Sequence, residues 1–105
     1  MSTTDSSSRW SATAEVVPRD GNTLLGTASG AYVAVVGLAP TESAFRAGIE
    51  RAMNSLEFDL VGLENVKQLR SPRDARDLDP VLRERLEALR DDNPVEVGNF
   101  HAFSD

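Results

Sequence analysis

His101 is the only histidine in the chain, and Ser104 and Asp105 follow it closely. Those three residue types could form a base, a nucleophile and an orienting acid. Their spacing opposes it, because residues three apart on a strand point to opposite faces and no oxyanion loop accompanies them. His101 therefore reads as a strand histidine. Asp74, Asp77 and Asp79 offer carboxylates for a hard cation, but Arg73 precedes them, Arg76 interrupts them and the Asp-x-Asp-x-Asp-Gly pattern of a calcium loop is missing. A solvated, self-neutralising connection is the simpler reading. The chain has no cysteine, which excludes disulfides, thiolate zinc sites and a cysteine nucleophile. Gly26, Gly30 and Gly37 precede or lie within an apolar stretch, whereas a phosphate-cradling loop needs glycine at a helix start, where this chain has Ala39-Pro40-Thr41. These glycines read as turns and bulges of a curved sheet. The sequence thus supplies no catalytic, metal or cofactor set, and we expect a protein that is not an enzyme and carries no cofactor.

What remains is charge. The chain has 11 Lys+Arg against 17 Asp+Glu, a formal net charge of −6. Arg70, Arg73, Arg76, Arg83, Arg85 and Arg90 crowd into residues 70–93, yet acids in the same stretch slightly outnumber them. No basic stripe for nucleic acid results, since such binding needs a positive footprint to displace counterions. The acidic residues with partner-binding potential are Glu57, Asp59, Glu64, Asp91 and Asp92. Among the aromatics, Trp10, Tyr32 and Phe103 are the ones expected near a sheet edge or open face, with core packing as the default for each.

These residues must be positioned by a small number of elements. Residues 1–8 hold four serines, two threonines and an aspartate, and are expected to be a disordered tail. Trp10, Ala12, Ala14 and Val16 alternate with Ser11, Thr13 and Glu15, which predicts a half-buried strand ending at Pro18. Arg19-Asp20-Gly21-Asn22 is turn chemistry, and the apolar, β-branched run Ala31–Ala39 predicts a central strand. Thr41 and Glu42 open a helix whose Phe45, Ile49, Ala52, Met53 and Leu56 form one stripe. Gly48 inside it predicts close packing of that turn on the sheet. Phe58–Leu63 predicts another strand, with Val66–Leu69 as a short partner after a turn at Glu64-Asn65. Residues 70–79 read as an exposed connection, and Asp79-Pro80 opens a second helix with Leu82, Leu86 and Leu89 as its stripe. A final strand runs from Val95 to Phe103, with Val95, Val97, Asn99, His101 and Phe103 on one face.

At 105 residues one domain is expected, here 9–105 behind the tail. The element order predicts an α+β two-layer sandwich: a ferredoxin-like βαββαβ sheet with both helices on one face and an extra N-terminal strand. The first helix should cross between two strands that lie parallel, or that sandwich a third. No apolar run approaches the ~20 residues that span a bilayer, and the N-terminus lacks a signal-peptide pattern, so a cytoplasmic protein without membrane attachment is expected. In size, solubility and charge the chain is similar to immunity proteins of bacterial toxin systems, though it carries no motif diagnostic of them. Two functions follow. One is a small acidic module that acts as a stoichiometric inhibitor of a basic protein partner such as a toxin or nuclease, as immunity proteins and antitoxins do. The alternative is a homo-oligomeric, ferredoxin-like domain that senses a small molecule at sheet edges or helix ends.

Overall fold

In the computed structural model, the described residues are 8–70, 72–76, 78, 80–90 and 92–103. The elements are β1 (Ser8–Pro18), β2 (Gly30–Ala39), α1 (Glu42–Ser55), β3 (Phe58–Leu69), a single turn α2 (Pro72–Ala75), α3 (Pro80–Glu87) and β4 (Val95–Phe103). The strands make one antiparallel sheet in the order β3-β1-β2-β4. Because β2 and β3 both run against β1, they are parallel to each other with β1 between them, and α1 makes the crossover. No helix among the described residues is long and apolar enough to cross a membrane.

The α+β class holds, but the detailed sandwich does not. Among the described residues there are four strands where five were expected, because Phe58–Leu69 continues as one strand through the anticipated turn. Asn65 does adopt a positive φ of 55°, as a turn would require. That conformation is absorbed by a bulge in the β1–β3 ladder, which shifts register between Ser11 and Thr13 and again between Glu15 and Val16. The helices also lie on opposite faces of the sheet. Phe45, Ile49 and Met53 of α1 bury against Trp10, Ala14, Val16, Val33 and Val35, whereas Leu82 and Leu86 of α3 pack with Leu89, Val36 and Leu69. β2 permits this because alternate residues of an apolar strand feed both sides. Two further expectations shift slightly. Ser8 belongs to β1, leaving the remainder of the anticipated tail outside the described residues, and the connection over 70–79 contains α2, where Asp74 accepts a hydrogen bond from the Arg70 amide at 2.8 Å.

Local chemistry explains the main elements. Thr41 caps α1 by accepting from the Ala44 amide at 3.1 Å, an interaction worth about 1 kcal/mol. Trp10 stacks on Phe45 with ring centres 6.0 Å apart, and its indole N–H donates to the Ala39 carbonyl at 2.9 Å. Trp10 is therefore core rather than surface. Gly48 faces β4 closely: a Cβ there would lie 3.1 Å from Val95 Cγ2. Gly37 is tighter still, since a Cβ would come within 2.8 Å of two Phe45 ring carbons. The apolar run needs that glycine for ring packing, not for a bulge.

Candidate functional site

The helix on the second face is short. Eight residues of α3 extend only about 12 Å, against about 33 Å for the ten residues of β2. Its leucines cover the end of the sheet near Val36 and Leu69, and among the described residues no element covers the other end. Register defines what lies there. One rung reads Gly62, Glu15, Tyr32 and His101 across β3, β1, β2 and β4. The rung nearer α3 holds Glu64 and Thr13, and the rung farther away holds Asp59, Val17, Gly30 and Phe103.

The result is a platform with an acidic side and an aromatic side. Tyr32 is 41% exposed and its ring centre lies 5.2 Å from that of Phe103. Gly30 makes that pair possible, because a Cβ there would sit 2.6 Å from Phe103 Cζ and 2.8 Å from the Val16 carbonyl oxygen. The missing side chain lets the Phe103 ring lie flat on the sheet and support Tyr32. Glu15 leans over Gly62, with its Oε1 3.9 Å from where a Cβ of that glycine would be. Directly opposed cross-strand residues have Cβ atoms about 5 Å apart, so Glu15 and His101 both flank Tyr32 closely.

β4 reaches this face through a register shift. Val33 pairs with Phe100 but Val35 pairs with Val97, so one extra β4 residue lies between them. Val95, Val97 and Phe100 all pack on the α1 side, and Phe100 stacks on Phe58 at 5.3 Å. The expected alternation of β4, with Val95, Val97, His101 and Phe103 on one face, is therefore interrupted. The bulge sends His101 and Phe103 to the face of Tyr32.

Of the five acids singled out from the sequence, the four among the described residues, Glu57, Asp59, Glu64 and Asp92, do not gather in one place. Glu64 is exposed on the open platform. Asp59 stands at the platform's far corner, where it accepts a hydrogen bond from Arg19 Nε at 2.9 Å; Arg19 also bonds Asn54. Glu57 follows the α1 C-cap with φ of 63°, a left-handed position usually filled by glycine. Its carbonyl accepts from the Arg19 amide at 3.0 Å and from Asn22 Nδ2 at 2.9 Å, which ties the β1–β2 loop to the end of α1. Asp92 is exposed in the turn before β4, at the opposite end of the sheet, and Asp91 lies outside the described residues. That separation is about 30 Å, roughly the span of a whole standard interface.

Glu15 was read from the sequence only as the wet side of a strand. Its alternation with Ala14 and Val16 marked it as outward-facing, but its neighbourhood with Tyr32 depends on the β1–β2 register. Beside the platform, an open hollow of about 320 Å³ is lined by Arg19, Glu50, Asn54, Phe58, Asp59 and Leu60. A smaller cleft of about 150 Å³ at the α3 border is lined in part by Ser11, Thr13, Lys67 and Leu82. Compared with protein-family models, curated proteins and solved structures, the chain shows no match.

Proposed function

We propose that this protein is a binding module that captures a basic protein partner and inhibits it stoichiometrically, in the manner of immunity proteins and antitoxins. The observation that carries this reading is the half-face left bare by α3. It joins an exposed Tyr32, beside a half-buried Phe103, to Glu15 and Glu64, which form no ion pair among the described residues, on a chain of net charge −6. Aromatic anchors within a polar rim are usual in a protein-recognition surface, and a negative field speeds encounter with a cationic one. A cytoplasmic setting accords with the same reading.

The test is recovery of a partner by the full chain from native lysate at low salt, release by a salt step, and a stoichiometry and inhibition assay on the released protein. A basic protein bound one-to-one, inhibited on binding, and no longer bound by Glu15→Lys/Glu64→Lys supports the proposal. Recovery of this chain alone as a stable dimer overturns it in favour of the ligand-sensing alternative. Association rates then divide the acids. Glu15→Lys/Glu64→Lys should slow association at least tenfold at low salt, and Asp92→Lys, about 30 Å away, by less than threefold.

A further inference from the structure

Resting on that reading, we infer that the open platform is built to take an arginine side chain of the partner, its guanidinium stacked on Tyr32 and hydrogen-bonded to Glu15, with Glu64 as a second acid. Two features of the face carry this. First, Glu15 and Glu64 form no ion pair among the described residues, whereas Glu42, Asp59 and Glu96 are each taken by an arginine of this chain. The charge on the platform is available. Second, the acid and the ring are direct cross-strand neighbours with Cβ atoms about 5 Å apart, and the Glu15 carboxylate leans over Gly62, where no side chain stands, on the other flank of β1.

Arginine fits this arrangement better than lysine. Its planar guanidinium stacks on a ring and bonds a carboxylate with two parallel N–H donors at once, whereas a lysine ammonium does one or the other. A second copy of this chain is a poor occupant, because stacking two such faces would oppose Glu15 and Glu64 to their own counterparts on a chain already at −6. On the same face Arg19 is held by Asp59 and Asn54, and Lys67 pairs in register with Ser11. Four residues separate Ser11 from Glu15, about 13 Å along the strand, beyond the screening length in physiological salt. His101 lies on the far side of Tyr32 from Glu15 and leaves the acid–ring gap open.

The experiment is amide-resolved NMR titration of the full chain at low salt with two probes: a heptapeptide alternating glycine and arginine, and its lysine counterpart. The expected result is movement of the Glu15, Tyr32, Gly62, Glu64 and His101 amides, with the arginine peptide bound about two- to fivefold more tightly, the ratio a cation–π contact at an exposed ring supplies. Tyr32→Leu, at a partly exposed site, should keep the dispersed spectrum and erase the arginine preference. If both peptides bind equally, or move only the amides around Glu57 or Asp92, the arginine platform is refuted while the basic-partner reading stands. If neither peptide binds, both fail. Concentration-dependent movement of the platform amides without peptide would assign the face to a second copy and refute the inference.

Discussion

A methyl group added at Gly37 tests how the principal core is closed. The new Cβ would stand 2.7 and 2.8 Å from Phe45 Cε1 and Cδ1 and 3.1 Å from the Pro94 carbonyl oxygen. Carbon pairs prefer about 3.5–4.0 Å, so the ring must move by nearly 1 Å. It has nowhere to go: Phe45 is 1% exposed and rests on Trp10. The backbone is held as well, because the Pro94 carbonyl accepts from the Leu38 amide at 2.8 Å. Overpacking of this kind costs about 1–3 kcal/mol, offset by about 0.5–1 kcal/mol because alanine loses less backbone freedom than glycine. Gly37→Ala should therefore lose about 1–2 kcal/mol net, or about 5–15 °C in Tm. Urea unfolding followed by the fluorescence of Trp10, the sole tryptophan, measures it with an unchanged m-value. Phe45→Leu removes the obstructing ring, so the double variant should cost at least about 1 kcal/mol less than the sum of the two singles. Neutral or stabilising behaviour of Gly37→Ala, or additivity within about 0.5 kcal/mol, would refute the account.

Other positions make separate predictions. Glu57→Gly should raise stability by about 1 kcal/mol in denaturant titration, because it relieves a non-glycine left-handed residue while keeping the backbone carbonyl that Arg19 and Asn22 use. Asn65→Val should lose about 1–2 kcal/mol and Asn65→Gly almost nothing, since a β-branched residue does not tolerate the φ of 55° at this bulge; equal stabilities would mean that the strand straightens without it.

The sequence by itself determined the pieces with strong local causes. Thr41 and Glu42 start α1 and the Phe45–Ile49–Met53 stripe orients it; the alternation of Trp10, Ala12, Ala14 and Val16 makes β1; and Gly21, with φ of 88°, contributes to reversal of the chain before β2. Each rests on neighbours within a turn or two of chain, where periodicity and capping act. The sequence also identified the turn-like character of Asn65, but local preference cannot say whether a positive φ closes a hairpin or bulges a continuous strand. That depended on β1 lying alongside. The same holds for the face of α3: an apolar strand such as Ala31–Ala39 offers hydrophobic residues to both sides, and only packing assigned α1 to one and α3 to the other. The candidate site was the least legible of all. Glu15, Tyr32 and His101 are separated by 17 and 69 residues of chain, and cross-strand register with the β4 bulge put them in one rung.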